Sequence, residues 1–265
     1  MPDGTPAATP ESIPDLVRQA PLSFVGRVTR LGDTPLAAVT ADERTAVVKV
    51  DEVLHAPDAF RRLAGSEVTV QLSADLDPPA VGDTAAFFTT GAVYGEGLAV
   101  DEVGRLPAAD VQPHLTLAAT TADAMPFSAV LRGIRDEDMT THAGEADAVV
   151  VGTVVGLEKL PGNEDRPVSE HDPDWWRAQL DVSHVESGDV SPGRLAVLYP
   201  NSRDIHWYRV PKPSPGQQGM WILHTTEGAE DESTGHALRD AARFQLLDPD
   251  DRQPTRMLAV LQERR

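Results

Sequence analysis

The eight histidines are the residues best suited to bind a metal ion or to act as a base at neutral pH. None has the HExxH or HxxEH spacing that sets zinc ligands on one face of a helix. Three of them in the second half have acidic residues nearby in the sequence: His206, His224 and His236, with Glu227, Asp231 and Glu232. Convergence of these side chains in space predicts a metal-dependent hydrolase as an alternative function. We interpret them instead as exposed polar loop residues, and the sequence therefore assigns no metal site.

Acidic runs are a second source of ligands, because calcium ions bind carboxylate oxygens. Such runs occur in several turns of this sequence, but none matches the fixed ligand offsets of the EF-hand calcium loop. The run formed by Asp248, Asp250 and Asp251 comes nearest to a short ligand set. We interpret it as a solvated turn, which is the commoner use of such a run.

Motifs for covalent catalysis are not found. The chain has no Cys, which excludes a thiol nucleophile, disulfide bonds and thiolate metal sites. It contains no GxSxG elbow and no SxxK motif with its partner motifs. The segment GEGLAV at 95–100 lacks the GxGxxG spacing and precedes no helix, so it does not predict a phosphate-binding loop. The sequence predicts a protein that is not an enzyme and that uses no cofactor.

Aromatic residues make up only 5% of the chain, and all four Trp lie in its second half. Trp175 and Trp176 are adjacent, so in an extended segment their side chains point to opposite faces. Trp207 and Tyr208 belong to a long polar loop. Because Trp, Tyr and Arg are the usual anchors of interfaces, we predict a partner-binding site formed by Trp175, Trp176, His206, Trp207, Tyr208 and Arg209. The alternative is that the loop aromatics pack inward and hold the loop in place.

The formal net charge of −19 limits the partners that the surface can attract. It repels a phosphate backbone, and the Arg and Lys residues form no local basic cluster, so we expect no nucleic-acid partner. The chain has no apolar run of about 18 residues, which predicts no membrane span. Its first residues lack the basic and apolar segments of a signal peptide, and a cytoplasmic location is therefore expected.

The first half of the chain is predicted to form a short helix followed by strands. Residues 1–10 are expected to form a flexible tail, and a lead-in helix begins near Ser12, a suitable N-cap, with Pro14 in its first turn. Alternating apolar residues between Gly, Pro and Asp clusters predict five strands, at 22–31, 44–54, 66–72, 84–90 and 97–106. We predict a first domain over 11–107 and a linker over 108–125.

The second half, predicted as a domain over 126–265, repeats this order. An amphipathic helix that contains Phe127 and Ile134 leads into it. Five strands are predicted at 148–155, 178–187, 192–200, 215–222 and 242–248, and a final helix at 255–264. Trp221 aligns with Phe87 and is expected in the core. The repetition predicts an internal duplication.

Matched glycines are the clearest sign of this repetition. They pair as Gly26 with Gly152, Gly65 with Gly193, and Gly82 with Gly216. A Gly inside the first strand predicts a bulge or a sharp bend. A Gly before the third and the fourth strand predicts a turn with positive φ.

Five strands with a bent first strand and a long third connection are typical of a small Greek-key barrel of OB type. The successive patterns VVxGxV, VxVxEV, GxxVxV, GDxAxFF and GLAV resemble those of the netrin-like, or metalloproteinase-inhibitor-like (NTR/TIMP-like), superfamily of OB barrels. This resemblance implies an all-β fold with a few helices, made of two tandem five-stranded OB-like barrels. The inhibitors of that superfamily use an N-terminal Cys, which this chain lacks, so protease inhibition does not follow. Two immunoglobulin-like sandwiches are the alternative fold.

Without catalytic motifs, the sequence predicts a non-catalytic scaffold or adaptor that binds another protein mainly through the long loops of the second barrel. A module that binds a small ligand or a glycan is an alternative from another class, next to the metal-dependent hydrolase. The oligomeric state is not predicted.

Overall fold

The computed structural model describes residues 12–94, 97–115, 125–161, 173–226 and 241–264. Strands predominate and helices are few, which confirms the predicted all-β class. The predicted tail at 1–10 lies outside the described residues. None of the helices in the described ranges combines the length and the apolar character that crossing a bilayer requires.

The chain divides into two compact units, residues 1–135 and 136–265. The division falls inside the helix Ser128–Glu145, whereas the sequence predicts a linker at 108–125. Residues 108–111 of that predicted linker form a short helix with a buried residue, Val111, and its residues 116–124 lie outside the described residues.

Five strands build the barrel of the first unit, and a helix precedes them. They are β1 (Leu22–Leu31), β2 (Thr45–His55), β3 (Glu67–Gln71), β4 (Thr84–Tyr94) and β5 (Gly97–Pro107). The pairing order is β1-β2-β3-β5-β4, and pairing of β1 with β4 closes the ring. Among the strand pairs described in this barrel, only β3–β5 is parallel. This closed barrel excludes the sandwich alternative for the first unit.

Two apolar clusters hold the first unit together. Inside the barrel, alternate residues of the strands are buried, and the Phe24 and Phe87 rings stack at 5.6 Å. Outside it, a second cluster joins the outward residues of β1 and β4 to the helices α1 (Ile13–Gln19), α2 (Ala108–Val111) and the first half of α3 (Ser128–Glu145). The Ser12 side chain caps α1 by accepting from Asp15 N at 3.3 Å, as predicted.

The second unit has the same order of pairings and one additional strand. Its elements are β6 (Ala148–Lys159), β7 (Asp174–Ser187), β8 (Gly193–Asn201), β9 (Gln218–Thr225), β10 (Phe244–Gln245), β11 (Arg252–Gln253) and α4 (Met257–Glu263). The sheet order is β10-β8-β7-β6-β9-β11, and β10 also pairs with β9. As in the first unit, the fifth strand pairs parallel with the third and antiparallel with the fourth.

The fifth strand is where the sequence-based prediction for this unit is wrong. A strand was predicted over 242–248, but β10 covers only Phe244–Gln245. The chain then turns and returns to the same edge of β9 as β11. This interruption places an acidic turn beside β9.

Irregularities of the first strand coincide in the two units. The pairing register of β1 with β2 shifts at three places, and so does the register of β6 with β7. Each shift in β6 occurs 126 residues after the corresponding shift in β1, and Gly26 and Gly152 are one such pair of positions. The predicted bulge is therefore present in both strands. Gly82 N donates to the Val28 carbonyl at 2.8 Å, and Gly216 N donates to the Val154 carbonyl at 2.7 Å. The positive φ predicted for Gly82 and Gly216 is confirmed, at 98° and 81°. The OB assignment and the duplication stay predictions.

We expect Gly26→Ala to destabilise the first unit. The added Cβ would lie 2.6 Å from Val48 Cγ1 and 2.8 Å from the Lys49 carbonyl oxygen. Forcing extra volume into a packed core costs about 1–3 kcal/mol, which chemical denaturation measures as a lower free energy of unfolding.

Gly133→Ala, in α3, is the matched control, because nothing lies within 4 Å of its added Cβ. Ala in a helix interior is favoured over Gly by about 0.5–1 kcal/mol, so this variant should be as stable as the wild type or more so. A Gly26→Ala variant as stable as the wild type would contradict the close approach of β1 and β2.

Candidate functional site

The connection between β8 and β9, here called the 202–217 loop, contains most of the predicted partner-binding residues. Its first part is ordered by side-chain and turn hydrogen bonds. Asp204 N donates to Ser202 Oγ at 3.0 Å, and His206 N donates to Asp204 Oδ1 at 2.9 Å. The backbone N–H groups of Trp207 and Tyr208 both donate to the Asp204 carbonyl, at 3.0 and 2.8 Å. Ser and Asp thus impose a compact turn without strand pairing.

Trp207 and Val210 fix this turn on the core of the second unit. Val210 is buried, and Trp207 is half-buried against the same apolar cluster. The Trp207 ring also meets the Trp175 ring edge-on, with centroids 6.1 Å apart. Lys212 Nζ donates to the carbonyl oxygens of Trp207 and Val210, each at 2.7 Å. Burial lowers the pKa of Lys212, and the two carbonyls hold its ammonium group in place.

Four side chains on the outside of the turn form what we call the exposed patch: Ile205, His206, Tyr208 and Arg209. Ile205 is 76% exposed and Tyr208 52%, and they are two of only four large hydrophobic residues exposed in the described part of the chain. The Arg209 guanidinium lies 5.4 Å from the centroid of the Tyr208 ring, and its Nε donates to the Tyr208 hydroxyl at 2.8 Å. No carboxylate within the described ranges pairs with Arg209.

Trp175 and Trp176 begin β7 and point to opposite faces of the sheet. Trp176 packs into the main core beside Tyr199, with ring centroids 6.5 Å apart. Trp175 packs on the other face against Leu198 and Ala242. Both are half-buried, as expected for two adjacent residues of a strand.

The six predicted residues therefore divide into two groups with different roles. Trp175, Trp176 and Trp207 pack inward, because their large apolar area is more stable in contact with the core than in water. His206, Tyr208 and Arg209 remain exposed. Ile205, which the sequence analysis did not select, is the most exposed of the large hydrophobic residues described.

A second arrangement of functional side chains lies at the interruption of the fifth strand. Asp251 is fully buried, where the sequence predicted a solvated turn. Its Oδ2 accepts from the backbone N–H groups of Leu247 and Asp248, at 2.6 and 2.8 Å. Its own carbonyl accepts from Ile222 N of β9 at 2.8 Å. The Asp251 side chain thus closes the turn and leaves Oδ1 for other partners.

Two imidazoles converge on that remaining oxygen. His142 Nε2 lies 2.8 Å from Asp251 Oδ1, and His224 Nε2 lies 3.0 Å from the same atom. The centroids of the two imidazole rings are 5.5 Å apart. Asp248 Oδ2 lies 3.8 Å from His224 Nε2. These four side chains, here called the His/Asp cluster, each offer one ligand atom, and all four atoms lie within 4.8 Å of one another.

The electrostatics of the His/Asp cluster are dominated by carboxylates. In the described part of the chain, neither Asp248 nor Asp251 pairs with a Lys or an Arg. The pKa of His224 is raised, and the main cause is its hydrogen bond to Asp251. The charges of nearby carboxylates also raise this pKa, whereas partial burial of the imidazole lowers it. Both histidines are about one-fifth exposed and Asp248 is 56% exposed, so the cluster is open to solvent.

Only part of this cluster matches the ligand set considered from the sequence. His224 belongs to it, but His206 lies in the exposed patch, and His236, Glu227, Asp231 and Glu232 lie outside the described residues. Sequence reasoning missed His142, although it stands at the helical spacing of three residues from Met139, which packs with Ala143 on β6 and β9. That periodicity was the available sign that His142 lies along the side of α3 that packs on the sheet.

Comparison with known proteins assigns no identity to the chain. No protein-family model matches it, and no curated protein sequence matches it significantly.

We expect Lys212→Met to loosen the 202–217 loop while the strands stay intact. Met keeps the apolar stem but leaves the carbonyls of Trp207 and Val210 without their donor. Hydrogen bonds to a charged group contribute about 1.5–3 kcal/mol, so amide hydrogen exchange in the loop should become at least about tenfold faster.

Lys159→Met is the control, because Lys159 forms an exposed ion pair with Asp174 on the surface of the same unit. It should leave exchange in the loop unchanged. Identical loop exchange in Lys212→Met and the wild type would mean that the ammonium group does not hold the turn.

Proposed function

We propose that this protein is a non-catalytic scaffold or adaptor that binds another protein through the exposed patch of the 202–217 loop. The observation that carries this proposal is that an exposed Ile and an exposed Tyr occupy one ordered turn. Isolated exposed apolar residues are normal on a soluble protein, whereas exposed apolar residues grouped on one surface feature suggest binding.

The order of the turn supports recognition by a protein partner. A loop that is already held in shape loses less conformational entropy when it binds, so more of its contact energy appears as affinity. Here Trp207 and Lys212 hold the base of the turn, while Ile205 and Tyr208 extend from it. Tyr and Arg are also the residue types that most often dominate binding energy at interfaces.

The charges of the patch indicate which chemical groups the binding surface of the partner contains. Arg209 has no carboxylate partner within the described ranges, in a chain whose formal net charge is −19. Its guanidinium lies over the Tyr208 ring, and its remaining N–H groups can donate to a carboxylate of a partner. We expect the partner to present an apolar pocket for Ile205 and Tyr208 next to an Asp or a Glu.

A glycan-binding module is a weaker proposal. Sugar rings stack on exposed aromatic faces, and Trp207 packs against the core and Trp175. Tyr208 is the remaining aromatic of the loop, and the Arg209 guanidinium lies over its ring.

We also propose that the two units are OB-type barrels that arose by duplication. The shared pairing order and the shared register shifts of the first strands support this proposal. The resemblance to netrin-like domains stays a proposal on the same grounds.

The test is affinity capture with the whole chain and a double variant, Ile205→Ser with Tyr208→Ala. Loss of two central contacts should weaken capture of a specific partner about 30-fold or more. Because both residues are exposed, the melting temperature should stay close to that of the wild type.

Val81→Ser with Val155→Ser is the matched control, since these are the other two exposed large hydrophobic residues described. It should capture the partner as well as the wild type does. Equal capture by both double variants, or no partner that distinguishes them, would refute the proposal.

A further inference from the structure

We infer that the His/Asp cluster of the second unit is a binding site for a divalent transition-metal ion, with Zn²⁺ as the expected ion and His142, His224, Asp248 and Asp251 as its ligands. The inference is independent of the proposed function, because the exposed patch shares no residue with the cluster.

The spacing of the ligand atoms fits a small tetrahedral site. Zinc bonds to nitrogen and oxygen are about 2.0–2.1 Å long, so two ligands of a tetrahedral ion lie about 3.3 Å apart. The separations are 2.8 and 3.0 Å from the two Nε2 atoms to Asp251 Oδ1, and 3.8 Å from His224 Nε2 to Asp248 Oδ2. These values lie on both sides of the expected separation, and the other pairs of ligand atoms lie within 4.8 Å of one another.

The balance of charge also favours a cation. Asp251 is fully buried, and buried carboxylates are hydrogen-bonded, paired with a charged group or bound to a metal ion. Within the described ranges no Lys or Arg supplies that charge. Two imidazoles instead place Nε2 within hydrogen-bond distance of one carboxylate oxygen, so two nitrogen ligands and one oxygen ligand are already close together.

The ligand types select the class of ion. Two imidazole nitrogens with two carboxylate oxygens suit Zn²⁺ and related first-row ions, whereas Ca²⁺ and Mg²⁺ prefer oxygen ligands alone. Solvent reaches the site at both histidines and at Asp248, so an ion has a route of entry. Asp251 is already fixed by two backbone N–H groups, which orient its carboxylate as outer partners orient metal ligands.

A bound ion would connect three separate segments of the second unit. His142 lies on α3, His224 lies on β9, and both Asp residues lie in the turn between β10 and β11. An ion that binds only the folded arrangement stabilises it by mass action. Zinc should therefore raise the melting temperature as well as bind.

The test uses the whole chain without an affinity tag, stripped with EDTA and then titrated with ZnCl₂ by calorimetry at neutral pH. We expect one Zn²⁺ per chain and no binding of CaCl₂ or MgCl₂ under the same conditions. CoCl₂ should give the visible absorption bands of a four-coordinate ion. No zinc binding by the wild type would overturn the inference.

The decisive variant is His142→Gln, with His184→Gln as its matched control. His184 Nε2 lies 3.3 Å from Glu186 Oε2 on the same unit, but among the described residues it belongs to no group of potential metal ligands. We expect His142→Gln to lower zinc affinity at least about 100-fold and to abolish the thermal shift, whereas His184→Gln changes neither. Equal loss in both variants, or in neither, would overturn the inference. Circular dichroism of the zinc-free variants separates lost binding from lost folding.

Discussion

The first strand of each unit has to pair with two neighbours and still bend, and this constraint governs the rest of each fold. β1 pairs with β2 along one edge and with β4 along the other. At Gly26 the backbone of β2 comes so close that no Cβ fits between the strands. β6 approaches β7 closely at Gly152, where the Asp181 carbonyl oxygen would lie 3.0 Å from an added Cβ. The register of the first strand against the second shifts next to these glycines in both units.

The second unit departs from the first where its fifth strand is interrupted. β5 pairs with β4 from Ala85 to Tyr94, whereas β10 and β11 each pair with only two residues of β9. The chain between them forms the turn that carries Asp248 and the buried Asp251. The long connection before β9 similarly forms the 202–217 loop. The exposed patch, and both Asp residues of the His/Asp cluster, thus lie in additions to a framework that the first unit has in simpler form.

The sequence predicted the framework better than the sites, for a physical reason. Period-two alternation and turn glycines are local signals, so nine of the ten predicted strands lie close to their observed positions. The amphipathic helix was predicted from Phe127 and Ile134, but its continuation to His142 was not, because the apolar pattern is weak beyond Ile134. Pairing of His142 with Asp251 depends on how α3 packs against the sheet. In the loop, Trp207 and Tyr208 are adjacent aromatic residues, and the sequence does not show which of them is buried. In the structure Trp207 packs against the core and Tyr208 is exposed.

The proposed contact surface for another protein is the outer side of the 202–217 loop. Photo-crosslinking from position 208 tests it most directly, with a benzophenone amino acid in place of Tyr208 and, in a second sample, in place of Val81, which is 60% exposed. We expect one specific crosslinked protein from position 208 and none from position 81. The same products from both positions, or none from position 208, would contradict it.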